Sequence, residues 1–398
     1  MASSLLAECL RPGDSVVVGQ ATAEPVGLVA ELFALAPRIG TLDVFCGFSQ
    51  NPAWQEPMPD AIRVSSYCGL GTVGKLVAHG KARVCPSPLS QLSALFTSRR
   101  MPVDVVLLQV SPADADGYHS LGCTLDYVWD AAQVARTVVV EVNPNMPVTR
   151  GIGRLHRSRV VVARESDAAL AEPVPEEPGE VQRQVAAHVA RLVPDGATIQ
   201  LGIGGLALAV AGALRDRRGL KVRSGMVGDW FLSLVDSGAI DTATPDACLA
   251  SLALGSRRLY DSLSRDGLLG FAHPSQLALP VPGAPLMAIN SAIEVDLRGQ
   301  VNAEFLGDRY VGAVGGQTDY FRAARASAGL AILALPSTTG RGDSRIVPRC
   351  GWATATQGDV DVIVTEHGAA DIRATTLHER APLIASIADP RHREALLR

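Results

Sequence analysis

Residues 195–205 read Asp-Gly-Ala-Thr-Ile-Gln-Leu-Gly-Ile-Gly-Gly, and this stretch decides the fold. A short apolar run, 198–202, is entered through one glycine and left through a glycine-rich turn. Small and apolar residues then continue from about Leu206 to Arg215. This order predicts a buried β-strand, a tight turn and a helix, which together are the repeating unit of α/β proteins.

The same order occurs near the amino terminus. Gly13 precedes an apolar run at 15–19, and a helical pattern follows through Leu35. In both places a proline stands just before the first glycine, and a second glycine follows that glycine by six residues. This weak internal repeat is typical of two similar halves. Because any strand-turn-helix unit can produce it, a true duplication is left open.

Further short runs of Val, Ile and Leu without polar alternation occupy residues 103–110, 137–142, 331–336 and 360–365. Such runs predict strands covered on both faces, and therefore parallel sheets flanked by helices. Residues 165–181 collect acidic side chains and three prolines, which indicates a surface linker. We therefore predict an α/β protein with two open, mostly parallel-sheet domains of related topology, residues 1–180 and 181–398.

Composition excludes several classes of protein. The 398 residues are 47% hydrophobic and 19% charged, so the chain can bury a large core and is not disordered. A net charge of −4 argues against a dedicated nucleic-acid binder, because such a protein needs an excess of positive charge to contact phosphates. No run of about 18 apolar residues indicates a membrane span. The opening MASSLLAECLRPGD lacks the basic start of a signal peptide, which predicts a cytoplasmic protein.

Cysteine spacing argues against a disulfide framework and against a metal site. The seven cysteines are scattered, and no two of them form a C-x-x-C pair. No cysteine is placed with a histidine at zinc spacing, and H-E-x-x-H does not occur. The sequence therefore predicts reduced, mostly buried thiols and no bound metal.

Two glycine-rich loops are candidate ligand sites. Gly202-Ile203-Gly204-Gly205 follows a predicted strand and precedes a helix, where backbone N–H groups can approach an oxyanion or phosphate. It does not match G-x-G-x-x-G, because position 207 is alanine. Residues 312–317, which include Gly315, Gly316 and Gln317, precede a second helical run and predict a similar backbone cradle. The simpler interpretation of each is a tight or flexible turn.

Acidic residues supply the catalytic candidates. Glu366 follows an apolar strand and precedes His367-Gly368, at the strand end where α/β folds place ligands. Glu294 and Asp296 alternate with apolar residues and are expected to share one strand face, for which an exposed strand edge is the simpler interpretation. The chain has no G-x-S-x-G elbow and no P-loop lysine, which removes serine hydrolases and P-loop NTPases.

Taken together, the motifs resemble the acetyl-CoA hydrolase/transferase family, within the class I CoA-transferases that include 4-hydroxybutyrate and butyrate:acetate CoA-transferases. The matching stretches occur in the family's order, at residues 109–122, 142–147, 195–205, 289–302, 314–320, 344–348 and 364–368. The resemblance implies two related α/β domains with the active site between them and most of that site in the second domain. It also implies a homo-oligomer that uses coenzyme A as substrate and product, with no tightly bound cofactor.

In such enzymes a glutamate attacks an acyl-CoA thioester and forms a mixed anhydride. CoA then attacks the anhydride, which gives a glutamyl-CoA thioester. By resemblance, Ile203 or Gly204 and Gly315 or Gly316 match the two oxyanion-hole loops, and Glu366 matches a second active-site glutamate. The nucleophile itself differs. The family motif around the nucleophile is His-Thr-Glu-Met-x-x-Asp-Gly. This sequence has Arg-Ser-Gly-Met-Val-Gly-Asp-Trp at 223–230 instead, so Gly225 aligns with the nucleophilic glutamate. A second motif also departs, at Phe-Ala-His-Pro, residues 271–274.

Three hypotheses follow from this departure. In the first, the enzyme processes a CoA thioester by hydrolysis, hydration or C–C cleavage, with Glu366 as general base and Asp229 or His273 as a second group. In the second, Asp229 or Glu294 replaces the nucleophile in ordinary transfer to a small carboxylic acid. In the third, the chain is a non-catalytic acyl-CoA-binding subunit beside a catalytic paralogue. Five arginines, at positions 150, 154, 157, 341 and 345, are candidates to contact the phosphates of CoA.

Overall fold

The computed structural model describes residues 4–55, 57–149, 151–174, 177–264, 268–281 and 283–398. Its contacts divide the chain into two compact units. The first unit comprises Met1–Pro173, Ser251–Gln276 and Tyr310–Gly315, and the second comprises Val174–Ala250, Leu277–Arg309 and Gly316–Arg398. The predicted division at residue 180 stays a prediction.

The helices of the described chain are α1 Leu5–Cys9, α2 Val26–Ile39, α3 Val73–Ala78, α4 Leu89–Thr97, α5 Tyr127–Val134, α6 Glu180–Ala190, α7 Gly205–Ala213, α8 Trp230–Asp236, α9 Arg257–Leu263, α10 Pro274–Leu277, α11 Gln317–Ala326, α12 Leu377–Ser386 and α13 Arg393–Leu396. The strands up to the linker are β1 Ser15–Val18, β2 Leu42–Cys46, β3 Ile62–Ser66, β4 Ala82–Val84, β5 Val105–Val110, β6 Tyr118–Ser120, β7 Thr137–Val142, β8 Arg154–His156 and β9 Val161–Glu165.

The strands after the linker are β10 Thr198–Leu201, β11 Lys221–Val227, β12 Cys248–Ala253, β13 Gly270–Phe271, β14 Leu286–Asn290, β15 Glu294–Asp296, β16 Val301–Asn302, β17 Phe305–Leu306, β18 Arg309–Tyr310, β19 Leu330–Ala334, β20 Ile346–Val347, β21 Val362–Thr365 and β22 Gly368–Asp371. The predicted linker lies between β9 and α6; its residues Pro175 and Glu176 lie outside the described residues.

The first unit is built on a parallel sheet with the strand order β4-β3-β2-β1-β5-β7-β9. Its central strand, β1, shows why the apolar run forms a strand: Val16 and Val18 belong to one buried cluster and Val17 to another. Residues of α2 pack in the first cluster, and residues of α4 and α5 in the second. Because alternate side chains point to opposite faces, both faces of the sheet are buried, as the unbroken valine run predicts.

The second unit repeats this arrangement. Its strands β11, β10, β14, β19 and β21 lie side by side in that order, and the pairs along this row are parallel. In the first unit β2, β1, β5 and β7 follow the same path. The strands predicted from the paired glycine motifs, β1 and β10, are therefore the central strands of the two sheets. The predicted α/β class and the related topology of the halves are confirmed.

In each unit the chain leaves the central strand on one side and later returns on the other. In the second unit the next strand, β11, lies on one side of β10, whereas β14 lies on the other side. Ligands of open α/β sheets bind in the crevice at such a switch point, outside the carboxyl ends of the strands. The described chain has no helix long and apolar enough to span a membrane.

A buried polar network lies at the strand ends of the first unit, and it predicts how the free energy of unfolding depends on pH. Asp126 is fully buried, accepts a hydrogen bond from the Val128 N–H at 3.0 Å, and contacts the Gln20 side-chain amide. Burial raises the pKa of Asp126 to about 6, against about 3.9 in an unfolded chain. Between these values the folded state binds more protons, so the stability contributed by this group falls as pH rises.

We expect wild type to lose about 2 kcal/mol relative to Asp126→Asn as the pH rises from 4 to 7. The measurement is the free energy of unfolding in urea for both proteins across that range. A constant difference between the two proteins would contradict the prediction.

Candidate functional site

The first glycine loop lies at the carboxyl end of β10. Gly204 has φ = +94°, a conformation that side chains rarely adopt, and it immediately precedes the first residue of α7. The Trp230 ring nitrogen donates to the Gly202 carbonyl at 2.9 Å. Ile203 and Gly204 are exposed residues beside the start of a nine-residue helix. This arrangement can receive an oxyanion.

Gly225 lies in the neighbouring strand, close to this loop. The two parallel strands pair Thr198 with Lys221 and Ile199 with Val222, and from there they run in the same direction toward Gly202 and Gly225. The Ser224 hydroxyl lies 2.6 Å from the Leu201 carbonyl, which fixes the two strands together. The position predicted to have lost a carboxylate therefore lies next to the loop predicted to hold the oxyanion.

One tyrosine borders Gly225. A Cβ atom placed on Gly225 would lie 3.3 Å from the Tyr320 hydroxyl and 3.4 Å from its Cε2. A Cβ atom placed on Gly316 would lie 3.0 Å from the same Cε2. The two glycine positions thus contact one buried ring, so the structure brings together the strand of Gly225 and the turn before α11.

Arg223 contributes a positive charge beside this tyrosine. Burial lowers the pKa of the half-buried Arg223, and the nearby Tyr320 opposes that shift. Burial raises the pKa of Tyr320, which Asp319 reinforces and Arg223 opposes. Arg223 and Gly225 are two residues apart on one strand and share a face. The face of Gly225 is therefore partly polar and positively charged.

Gln317 connects α11 to the end of β14. Its side-chain nitrogen donates to the Ser291 carbonyl at 2.9 Å. Its side-chain oxygen is buried and has no hydrogen-bond partner among the residues that the structure describes. A buried acceptor in this state is satisfied by a donor from a ligand or a water molecule. This supports the predicted binding role of Gln317, which stays a prediction.

Glu366 is held at the carboxyl end of β21. Its two oxygens accept the Ser337 hydroxyl at 2.6 Å and the Ser337 N–H at 2.8 Å. The His367 ring nitrogen lies 3.6 Å from the carboxylate. Burial lowers the pKa of Arg345, and the charge of Glu366 opposes this shift. The carboxylate is thus held in a fixed orientation and surrounded by positive and polar groups.

Arg345 also connects Glu366 to the β14 side of the sheet. Its guanidinium lies 3.4 Å from the Ala292 carbonyl, one residue beyond the Ser291 that binds Gln317. The candidates of the second unit are therefore spread along the carboxyl ends of neighbouring strands. Gly204 and Glu366 follow β10 and β21, Gly225 lies two residues before the end of β11, and Gln317 contacts Ser291 just after β14. This is the sheet edge where the fold places ligands.

The acidic pair on β15 divides into two roles. Glu294 accepts a hydrogen bond from Asn302 at 3.0 Å and remains partly exposed. Asp296 is fully buried, so the expected exposed strand edge is wrong for this residue. Its carboxylate accepts the N–H groups of Arg298 and Gln300 at 2.9 Å and of Cys350 at 3.3 Å. Asp296 therefore closes a turn.

Replacing Asp296 with alanine removes the acceptor of all three N–H groups, of which that of Cys350 is buried. We expect Asp296→Ala to lower the free energy of unfolding by about 3 kcal/mol. Asp296→Asn keeps one acceptor oxygen and is expected to cost less than half as much. Urea unfolding of both variants measures this difference, and equal losses would contradict the capping role.

His273 lies in the first unit. Its Nε2 is 2.6 Å from the Asp130 carboxylate and 3.0 Å from the Ser93 hydroxyl. Its Nδ1 accepts the Ser275 N–H at 3.2 Å. Nε2 therefore has two oxygen partners, the Asp130 carboxylate and the Ser93 hydroxyl. Both ring nitrogens are engaged within this unit, an arrangement that positions the start of α10; a catalytic role for His273 stays a prediction.

The remaining candidates are placed as follows. Asp229 is half-buried and directly precedes α8. Gly205 begins α7, and a Cβ there would lie 2.8 Å from the end of the Gln182 side chain. Gly315 lies in the first unit with φ = +55°. Arg154 pairs with Asp114, and Arg150 lies outside the described residues.

Two functional neighbours were missed from the sequence, Tyr320 and Ser337. Tyr320 follows Gly316 by four residues on α11, and that helical spacing was a usable signal. Ser337 lies three residues beyond the end of β19, and only the β19–β21 pairing brings it to Glu366.

The fold and site define a doubly wound α/β protein with glycine loops and a fixed carboxylate at the sheet edge. The profile of the acetyl-CoA hydrolase/transferase N-terminal domain matches residues 2–162, and that of the C-terminal domain matches residues 255–398. The 4-hydroxybutyrate coenzyme A transferase of Clostridium kluyveri is 34% identical over 396 residues, covering 96% of this chain and 92% of that relative.

An acetyl-CoA hydrolase of Neurospora crassa is 28% identical over 348 residues, covering 75% of this chain and 65% of that relative. The crystal structure of RipA from Yersinia pestis superposes with a TM-score of 0.92 at 29% identity, covering 98% of this chain and 94% of that chain. The chain belongs to the acetyl-CoA hydrolase/transferase family, an enzyme superfamily that acts on CoA thioesters. The family resemblance of the motifs is confirmed.

Proposed function

We propose that this enzyme cleaves an acyl-CoA thioester without forming an acyl or CoA adduct on residue 225, and that water is the acceptor. The observation that carries the proposal is the position of Gly225 beside the Gly202–Gly205 loop. Glycine has no group that can form an anhydride or a thioester. The chain nevertheless carries both glycine turns and Glu366 at the carboxyl-end edge of the same sheet. Acyl-CoA and water are then the substrates, with no tightly bound cofactor.

The mechanism assigns each step to a residue of the second unit. The thioester oxygen lies toward the N–H groups of Ile203 or Gly204 at the start of α7, and Gly316 lies beside the ring of Tyr320. Glu366 accepts a proton as water adds to the thioester carbon, and the N–H groups stabilise the resulting oxyanion. Collapse of this intermediate breaks the carbon–sulfur bond. The thiolate of CoA leaves with the proton from Glu366, and the carboxylic acid remains.

Ordinary transfer to a carboxylic acid is the second candidate. Asp229 follows Gly225 by four residues and is half-buried at the start of α8. A carboxylate there can serve as the nucleophile if it reaches the thioester. Glu294 is less suited, because its carboxylate accepts the Asn302 amide.

Labelled water separates these reactions. The purified enzyme is incubated with acetyl-CoA in H₂¹⁸O, with and without a tenfold excess of propionate. Hydrolysis predicts CoA release without propionate and one ¹⁸O in each acetate. Transfer predicts propionyl-CoA, formed only when propionate is present, and would overturn the proposal. No release of free CoA in the absence of propionate would likewise overturn hydrolysis.

A further inference from the structure

A cavity of about 400 Å³ opens at one edge of the sheet of the second unit. This volume is within the range of about 300–1,000 Å³ that small-molecule sites occupy. Arg325, Arg373 and Arg380 line the cavity, together with Asp361. Three guanidinium groups around one cavity are a candidate site for an anion.

The cavity lies at the opposite ends of the strands from Glu366. Arg325 is in the last turn of α11, which precedes β19, and Asp361 directly precedes β21. Arg373 follows β22, which runs antiparallel to β21. Because β21 lies between Asp361 and Glu366 and rises about 3.3 Å per residue, the two acidic residues are about 16 Å apart. A ligand in the cavity therefore leaves the carboxyl ends of the strands open to a thioester.

Arg380 is the half-buried cation of the cavity, and its described hydrogen bonds leave its charge uncompensated. It donates to the backbone carbonyls of Gln357 at 2.7 Å, Arg298 at 3.1 Å and Ile372 at 3.2 Å, and to the Thr375 hydroxyl at 3.2 Å. All four acceptors are neutral oxygens, so none of the hydrogen bonds that the structure describes neutralises this guanidinium. A guanidinium has five N–H groups, so one remains for a ligand.

The other two arginines form ion pairs. The Arg325 Nε lies 3.3 Å from the Asp361 carboxylate, which also accepts the Ala331 N–H at 2.9 Å. Arg373 donates from Nε and Nη2 to the two oxygens of Asp371, at 2.9 and 2.5 Å. Each of these pairs is neutral overall, so the uncompensated guanidinium makes the cavity positive. The remaining Nη groups of the pairs add donors around it.

Two alanines that line the cavity have positive φ angles, +51° at Ala328 and +53° at Ala374. L side chains rarely adopt this conformation, because Cβ approaches the following carbonyl oxygen. Ala328 lies in the loop between Arg325 and β19, and Ala374 directly follows Arg373. Such strained backbone is frequent where a protein binds a ligand. The two loops beside these arginines therefore share a second feature of ligand sites.

We propose that this cavity binds a phosphate or pyrophosphate group, inorganic or part of a small organic molecule, between Arg325, Arg373 and Arg380. Phosphate is favoured over a carboxylate, because it carries more acceptor oxygens and the planar forks of several arginines bind them together. The site is separate from the thioester site at the other ends of the strands. It therefore stands whether the enzyme hydrolyses a thioester or transfers CoA.

Calorimetry with inorganic pyrophosphate tests the site in the full chain. The protein is first saturated with S-ethyl-CoA, a thioether that cannot be hydrolysed and that occupies the thioester site. We expect pyrophosphate to bind this complex with a Kd below about 1 mM. The absence of binding, or binding that S-ethyl-CoA abolishes, would overturn the proposal. Acetate that binds as tightly as pyrophosphate would overturn the preference for phosphate.

Charge variants locate the bound anion. Arg325→Gln and Arg373→Gln are each expected to weaken pyrophosphate at least about 10-fold, since each removes a charged donor. Arg322→Gln is the matched control, because Arg322 lies on the same helix, pairs with Asp359 at 3.1 Å and does not line the cavity. It is expected to change the Kd less than about twofold. Equal losses in the three variants would overturn the assignment.

Asp371→Asn gives an effect of the opposite sign. It removes the negative charge that pairs with Arg373 and is expected to tighten pyrophosphate about threefold, a gain that a damaged fold cannot produce. Weaker binding in a folded Asp371→Asn protein would contradict the role of Arg373.

Organic phosphates identify the source of the group. GDP and glucose 6-phosphate are titrated into the same S-ethyl-CoA complex, and GDP is used because CoA itself carries an adenine nucleotide. Binding of GDP at least about 10-fold tighter than glucose 6-phosphate assigns a nucleotide, and the reverse order assigns a sugar phosphate. Organic phosphates that bind no more tightly than pyrophosphate assign the inorganic ion. Each of these results supports a phosphate site, and none depends on turnover of acyl-CoA.

Discussion

Gly225→Glu is expected to form a covalent enzyme-bound CoA thioester on incubation with acyl-CoA, which wild type does not form. The new carboxylate would begin beside the Gly202–Gly205 loop, where it can attack the thioester carbon. Borohydride reduces such a thioester to an alcohol, and mass spectrometry of the peptide containing residue 225 detects the change. We expect modification of most of the variant and transfer of CoA to acetate at least about 100-fold above wild type.

The space around residue 225 makes the substitution practicable. The Cβ contacts with Tyr320 at 3.3 and 3.4 Å require the ring to move by only a few tenths of an ångström. Gly225→Gln has the same size and no nucleophile, so it controls for packing and is expected to give no adduct. Absence of an adduct in a folded Gly225→Glu protein that still binds S-ethyl-CoA would show that residue 225 does not face the thioester.

Glu366→Gln is expected to reduce the rate of CoA release by about 10²–10⁴-fold, the usual contribution of a general base. The variant keeps the size of the side chain and one acceptor for the Ser337 hydroxyl or N–H. Affinity for S-ethyl-CoA is expected to change less than about threefold, because the carboxylate acts on water and not on the bound thioester. Thiol release with Ellman's reagent and calorimetry provide the two measurements.

Glu294→Gln serves as the matched control for removing a carboxylate nearby. Glu294 is partly exposed on β15 and accepts one bond from Asn302, so this variant is expected to keep its turnover within about twofold. Equal losses in the two variants would remove the base role from Glu366. A loss of turnover in Glu294→Gln alone would favour CoA transfer with Glu294 as the nucleophile.

The fold was predictable because its signals are local. The valines of β1 and the Thr-Ile-Gln-Leu of β10 are short runs without alternation, and both strands form within one residue of the predicted ends. The repeat of glycine spacing correctly marked the two central strands. Sheet order was not predictable in the same way, since the pairing of β10 with β14 joins residues almost 90 positions apart.

The site was predictable only in part, for the same reason. Glycine turns and a strand-end glutamate leave a local pattern, so Gly204 and Glu366 could be named from the sequence. The partners that orient them come from other strands and helices. Ser337 reaches Glu366 across the pairing of β19 with β21, and Asp130 reaches His273 from α5. One expectation was also wrong: Asp296 does not lie on an exposed strand edge. It is buried, and its carboxylate accepts hydrogen bonds from backbone N–H groups.

The ring of Tyr320 has an evolutionary consequence. The ring lies beside both Gly225 and Gly316. A side chain gained at either position therefore displaces the ring and changes the space at the other position. Substitutions at these sites are therefore epistatic. The fitness effect of a carboxylate at 225 depends on whether the side chain at 320 leaves room for it. A lineage with glycine at 225 can gain a carboxylate there only along mutational paths that keep this aromatic ring free to shift.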